Sequence, residues 1–311
     1  SFIHPAFKGY TESRYIKKTE ATKLSIDEFR ALIEEIRRCS CIPMATPFDE
    51  ASVELCGVFD LPLIKIASSD IATWPLLERI ARLQKPVIIS TGGANEKTID
   101  DCVRFFENRS IPLAINHCVS LYPSEDSELE LNQIDYLRQR YANHVIGFST
   151  HEQRDWHSSL LISYAKGART WERHIDIDDG VTAVSPYCSL PHQIDSWFQA
   201  FHKAVEMCGG SSEARRPIPE RERRYLDELV RGVYARRSLP AGYVFDSATF
   251  EADFYLAIPL HRGQLSCREV INGERLTQAL EADAQLTIDH VDGPYSRNPG
   301  LRRTILERGR D

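Results

Sequence analysis

Along this chain, short apolar runs alternate with longer segments whose apolar positions fall at helical spacing. The runs 41–47, 63–68, 86–91, 113–118, 145–151 and 168–174 read as buried strands. The segments 50–58, 75–83, 96–107, 131–141 and 158–166 between them read as helices. Ahead of the first run, Ser25-Ile26-Asp27-Glu28 has the form of a capping box, with Phe29, Leu32, Ile33 and Ile36 following at helical spacing. Residues 1–24 look irregular and mixed in charge, with aromatics at Phe2, Phe7, Tyr10 and Tyr15.

Strands that recur with one helix between them build either an open doubly wound sheet or a closed (β/α)8 TIM barrel. The barrel is the better reading. No Gly-x-Gly-x-x-Gly fingerprint marks a dinucleotide crevice. Polar residues instead gather at the strand ends: Thr46, Lys65 and Ser68, Ser90 and Thr91, Asn116 and His117, Ser149 and His151, Glu172 and His174. In a barrel those ends converge on one mouth. Only six strands can be counted where closure needs eight, so a leading β-α-β unit is expected ahead of residue 1.

After His174 comes an irregular stretch over 176–189 and a long amphipathic helix over 192–207. Gly209-Gly210-Ser211-Ser212 and Pro217-Ile218-Pro219 mark a linker. Beyond Leu229 the pattern changes to short strands and turns at 232–235, 239–242 and 255–258. The expected organisation is a barrel domain over 1–208, a linker over 209–230, a small β-rich domain over 231–292 and a tail over 293–311. The tail arginines (Arg297, Arg302, Arg303, Arg308, Arg310) read as a solvated or weakly ordered end.

Composition narrows the function classes. The 311 residues are 42% hydrophobic and 27% charged, and none of the apolar runs is long enough to cross a bilayer. A net charge of -7 argues against a nucleic-acid partner, which usually meets a basic face. The eight cysteines (39, 41, 56, 102, 118, 188, 208 and 267) contain no C-x-x-C pair, which fits reduced thiols and a cytoplasmic location. The first residues have neither the basic start nor the apolar core of a signal peptide.

Chemistry concentrates on the strand ends. His151 and His174 terminate neighbouring parallel strands, where two imidazoles can share a metal ion or serve as ordinary structural histidines. His117 is a third candidate ligand, or a core or supporting residue. Lys65 closes an apolar strand, as an anion-binding ammonium, a Schiff-base nucleophile or a snorkelling side chain. Ser68, Ser90 and Ser149 share its mouth, and the Ser90-Thr91-Gly92-Gly93 turn leads into a helix, so hydroxyls, amides and one lysine could cradle a phosphate. Glu172 and Arg173 flank His174 and suit a buried carboxylate–guanidinium pair. Tyr122, in the loop after His117, either donates to a substrate hydroxyl or packs.

Taken in order, Thr46-Pro47-Phe48-Asp49, Lys65-Ile66-Ala67-Ser68, Ile89-Ser90-Thr91-Gly92, His117-Cys118 with Tyr122-Pro123, Gly147-Phe148-Ser149 with His151, and Glu172-Arg173-His174 resemble the sialic acid (N-acetylneuraminate) synthase family. The stretch 235–242, Ala-Arg-Arg-Ser-Leu-Pro-Ala-Gly, resembles the antifreeze-like (SAF, β-clip) domain appended to that barrel. The resemblance implies condensation of phosphoenolpyruvate with an N-acetylhexosamine-like aldose, giving a 2-keto sugar acid and phosphate for surface-glycan synthesis. It implies that Lys65, Ser68, Ser90 and Ser149 hold phosphoenolpyruvate. His151 and His174 would bind a divalent metal, typically manganese, with magnesium or cobalt as alternatives, and Tyr122 would contact substrate. It also implies a homodimer whose SAF domains are exchanged between subunits, with no membrane or nucleic-acid partner.

Departures from the family pattern fall on the sugar side. Ser120 replaces an asparagine, the acidic residue after Lys-x-x-Ser is the shorter Asp70, and Ser149-Thr150-His151 stands for Ser-Asp-His. A Gly-Pro-Asp-His segment is replaced by Val181-Thr182-Ala183-Val184-Ser185, which puts Ser185 at a sugar-binding position. The family's Glu, Asn-His and substrate-binding Gln belong to the leading unit. The alternatives are a catalytically silent homologue that binds a phosphorylated ligand or a partner, and a different metal aldolase on the same fold.

Overall fold

The six apolar runs become six strands: β1 (Met44–Ala45), β2 (Leu63–Ile66), β3 (Val87–Ser90), β4 (Leu113–Cys118), β5 (Val145–Thr150) and β6 (Thr170–Arg173). The computed structural model describes residues 3–10, 12–181, 183–210, 214–269 and 273–309. Phe2, Thr182, Ser211, Ser212 and Arg310, all used in the sequence reading, lie outside the described residues. The chain divides into two units, Ser1–Gly209 and Gly210–Asp311.

In the first unit the strands pair in parallel in chain order, β1 to β6, and curl as a half-barrel. Among the described residues the sheet has six strands, with β1 and β6 at its edges, so eight-stranded closure is not reached within them.

Register explains why this sheet has two unlike faces. Side chains alternate along a strand. The pairs Ile64–Val87–Leu113, Ile66–Ile89–Ile115–Ile146 and His117–Phe148–Trp171 therefore share one face. That face packs on helices, where Leu76, Leu77, Ile80, Cys102, Val103, Phe106, Ile134 and Leu137 join the same core. The other face carries Lys65 beside Ile88, Ser90 beside Asn116, and Cys118, Ser149 and Glu172 in one row. A sheet apolar toward its helices and polar on its concave side is built to present chemistry there.

The helices are α1 (Arg14–Ala21), α2 (Ile26–Arg38), α3 (Glu50–Val58), α4 (Trp74–Arg82), α5 (Glu96–Glu107), α6 (Asn132–Arg140), α7 (Trp156–Ala165) and α8 (Pro191–Cys208). Several start where a side chain satisfies a free amide. Asp49 accepts from Ser52 at 2.7 Å, Asn95 from Thr98 at 2.9 Å and Asp155 from Ser158 at 2.9 Å. Ser25 and Glu28 form the capping box of α2. Helix α1 corrects the irregular reading of residues 1–24. Ser13 caps it and Lys18 crosses to the Tyr187 hydroxyl at 3.2 Å, so tertiary contact supports a segment with too few apolar positions to reveal itself.

In the second unit, α9 (Glu220–Asp227) precedes β7 (Gly232–Ala235), β8 (Val244–Phe245), β9 (Phe254–Ala257), β10 (Glu274–Leu276) and β11 (Val291–Asp292). β7 pairs with β9, and β8, β10 and β11 form a three-stranded antiparallel sheet. Val233, Leu239, Phe245, Phe254, Leu276, Leu286 and Ile288 fill its core. The tail is no solvated end. Tyr295 and Ile305 enter this core, residues Pro299–Leu306 are helical, and buried Arg308 makes two 2.7 Å hydrogen bonds to Glu269. Arg297 grips Asp292 and Arg302 pairs with Asp289, so charge-paired arginines anchor the segment. Among the described residues, no helix is long and apolar enough to cross a membrane.

Candidate active site

The concave face brings the phosphate-cradle residues together. Lys65 is 2% exposed, and its ammonium donates to the Ile66 carbonyl at 2.8 Å and lies 3.5 Å from a Glu172 carboxylate oxygen. Burial pushes the Lys65 pKa down, and the Glu172 charge opposes that shift. Ser149 donates to the other Glu172 oxygen at 3.3 Å. Glu172 thus links two cradle residues instead of pairing with its neighbour Arg173.

The turn after β3 completes this arrangement. The Gly92 amide donates to the Ser68 hydroxyl at 3.1 Å. A side chain at Gly92 would run into the Ser68 and Ser120 hydroxyls, so the space there is a small polar notch that only glycine leaves open. The Ser90 hydroxyl is buried without a hydrogen-bond partner. Buried hydroxyls are rarely left so, and one facing a row of polar groups has the character of a donor awaiting a ligand. Asp70 and Ser185 are not drawn in. Asp70 accepts from Ser69 and Thr73 within its own turn. Ser185 closes a turn by accepting the Cys188 amide at 2.9 Å.

The two histidines lie side by side at the end of the same face, with ring centroids 5.3 Å apart. His151 places Nδ1 3.0 Å from the Val119 carbonyl, a contact that fixes Nδ1 as the protonated nitrogen and leaves Nε2 as a lone pair. Burial lowers its pKa to about 4, and the pKa of His174 is lowered by the same cause. Both rings are therefore neutral near pH 7, the state a metal requires. Two neutral imidazoles side by side are donors of the kind a divalent ion takes. Among the described residues no third histidine, cysteine or carboxylate joins them as a cluster. His117 faces the helices, with Nε2 2.7 Å from the Leu129 carbonyl and its ring stacked on Phe148.

Tyr122 packs on His151 at 4.0 Å between ring centroids, and its pKa is raised to about 12 by burial, so its hydroxyl stays protonated. The sequence reading missed Tyr187, which is 8% exposed and stands edge-on to both His174 and Tyr122. It also missed Lys18, which reaches Tyr187 from α1. Tyr187 lies two residues beyond Ser185 in a stretch without periodicity, and only the fold brings it to the histidines.

Behind the histidines sits a second charged pair. Arg173 lies 3.1 Å from the Glu152 carboxylate, with side chains 2% and 0% exposed. Burial pushes Glu152 up and Arg173 down, and each partner's charge opposes the other's shift. The buried pair expected of Glu172 and Arg173 does not form: the two side chains lie on opposite faces of β6, and Arg173 pairs with Glu152 instead.

Residues 5–213 match the model of the NeuB family. The chain is 29% identical over 233 residues to Methanocaldococcus jannaschii protein MJ1065, an alignment covering 74% of this chain and 67% of that protein. It is 33% identical over 183 residues to the N-acetylneuraminate-9-phosphate synthase of Drosophila melanogaster, covering 58% of this chain and 48% of the relative. Among solved structures, a Chromobacterium violaceum protein named for spore coat polysaccharide biosynthesis (protein E) superposes with a TM-score of 0.88 at 35% identity, covering 94% of this chain and 86% of that one. The sialic acid synthetase of Leptospira borgpetersenii shares the fold with a TM-score of 0.64 at 24% identity, covering 72% of this chain and 78% of that one.

Proposed function

The chain belongs to the NeuB family, and from that premise we propose that it condenses phosphoenolpyruvate with an N-acetylhexosamine-like aldose to a 2-keto sugar acid and phosphate. The observation that carries this reading is the concave row of Lys65, Ser90 and Ser149 with the Ser68–Gly92 notch. One cation, several hydroxyls and a free hydroxyl at Ser90 suit the phosphate and carboxylate of phosphoenolpyruvate. Burial lowers the Lys65 pKa and the Glu172 carboxylate opposes that shift, favouring the ammonium form that an anion would meet.

The chemistry balances without a redox partner. The enol carbon bonds to the aldehyde carbon of the sugar, water adds at the resulting cationic carbon, and phosphate leaves. His151 and His174 would hold a divalent ion, manganese or otherwise magnesium or cobalt, which when bound supplies Lewis-acid polarisation of the aldehyde. The chain's own residues orient the partners. The neutral His151 ring presents an Nε2 lone pair, Tyr122 and Tyr187 wall the histidine side, and the protonated Tyr122 hydroxyl can donate to the sugar. We read residues 231–292 as the SAF domain, exchanged between the subunits of a homodimer. Light scattering on the full protein would give a monomer mass if that assembly is wrong.

A silent homologue is the second reading, favoured by the local engagement of Asp70 and Ser185, which leaves the sugar side thinly furnished. The deciding experiment measures phosphate release from phosphoenolpyruvate with manganese across a panel of hexoses and N-acetylhexosamines. Release that needs one sugar, and vanishes in His151→Ala and His174→Ala, supports the condensation. Calorimetric binding of phosphoenolpyruvate with no release by any sugar favours the silent homologue.

A further inference from the structure

We infer that Arg173 and Glu152 form a positioning clamp that fixes His151 and His174 relative to one another. The inference rests on the proposed reading of those histidines as a working pair. Each clamp residue is the chain neighbour of one histidine, on the side of the sheet away from the site. The Arg173 guanidinium makes three separate attachments. One nitrogen donates to the Glu152 backbone carbonyl at 2.7 Å, one faces its carboxylate at 3.1 Å, and Nε donates to the Ser189 hydroxyl at 2.6 Å. The Ser189 amide in turn donates to the His174 carbonyl at 2.9 Å, and the Ser124 amide donates to the His151 carbonyl at 3.1 Å. One planar fork therefore ties the backbone just past His151 to the residue that pins the backbone of His174.

The remaining contacts give the clamp a rigid seat. Ser159 donates to the free Glu152 carboxylate oxygen, and the guanidinium lies over the Trp156 ring at 5.1 Å, both from the first turn of α7. His151 is also held through its own ring at the Val119 carbonyl. The described contacts of the His174 ring are aromatic, with Tyr122, His151 and Tyr187. His174 accordingly depends most on the clamp, and a metal held by both imidazoles would sense a small shift of either strand end.

The test uses the full-length protein with carbon-13-labelled histidine rings, assigned through His151→Ala and His174→Ala. Removing one charge strands the other in the interior, so the informative variant is the double change Glu152→Met with Arg173→Met, which removes both. The expected result is a folded protein with near wild-type Tm. Its cross-relaxation between the two rings is lost, and its manganese binding by calorimetry is weakened about 10- to 100-fold, as for other supporting residues of metal ligands. Arg173→Lys keeps the charge and loses the fork, so its affinity should fall between the two. A folded double variant with unchanged ring contacts and unchanged manganese affinity would overturn the clamp. Should the wild type bind no manganese while the double variant still loses the ring contact, the clamp stands and the metal reading fails.

Discussion

Ser90 separates a binding role from a stabilising one. Its buried hydroxyl has no partner, so Ser90→Ala removes a group that the unliganded protein leaves unsatisfied. Denaturant unfolding of Ser90→Ala should give unchanged or slightly higher stability, while phosphoenolpyruvate affinity by calorimetry falls about three- to tenfold, one neutral hydrogen bond's worth. A clear loss of stability would mean that the hydroxyl serves the fold. Gly147 makes the opposite case. The Thr170 hydroxyl donates to Asn116 at 2.8 Å across the space a Cβ would take, and the Thr170 carbonyl also lies in the way. Gly147→Ala should therefore cost about 1–3 kcal/mol by overpacking, read from denaturant midpoints. A change below the error of that measurement would show that Thr170 can move aside.

At the scale of elements, legibility followed periodicity. The strands were visible because the helix-facing residues Ile64, Ile66, Val87, Ile89 and Ile115 form apolar runs, and the polar ends marked the mouth. Helices α3 and α5 show in the sequence because apolar spacing and a capping residue agree. Helices α1 and α9 do not, since Arg14–Ala21 has few apolar positions and Glu220–Asp227 is almost wholly charged. In the site, Lys65 and the two histidines stood out as polar residues closing apolar strands. Glu152, Tyr187 and Lys18 did not, because their meaning lies in partners 21, 13 and 169 positions away. An element-level prediction follows for α5, which starts just beyond the Ser90–Gly93 turn. Asn95→Ala removes its cap and should cost about 1 kcal/mol of stability. Phosphoenolpyruvate affinity should stay within twofold if the turn is held by Ser68 and β3; a larger loss would make the cap part of the cradle.

For the molecule as a whole, acid is an informative stress. Arg140 and the Tyr141 hydroxyl hold the Asp100 carboxyl down at about 2, through hydrogen bonds of 2.9, 2.6 and 2.7 Å. An unfolded aspartate titrates near 3.9. The folded value is depressed, so this contribution is present above pH ~4 and is lost as pH falls toward 2. Asp100→Asn should flatten the stability slope over that window. Tryptophan emission is a suitable monitor, because all four tryptophans (Trp74, Trp156, Trp171 and Trp197) belong to the first unit; an unchanged slope would deny Asp100 the role.

In the second unit, breaking the buried Arg308–Glu269 pair by Arg308→Ala should cost about 3–5 kcal/mol, measured by thermal and denaturant unfolding. A small loss would mean that Glu269 takes up a proton or finds water. That same pairing sets an order on synthesis. Glu269 is placed by Ser266, yet its counter-charge is encoded thirty-nine residues later. A ribosome that has delivered β7 to β11 has still not delivered the cation that pairs with Glu269. The unit then matures only once residue 308 has been made, and a premature stop shortly before it would release a chain whose buried Glu269 lacks its partner.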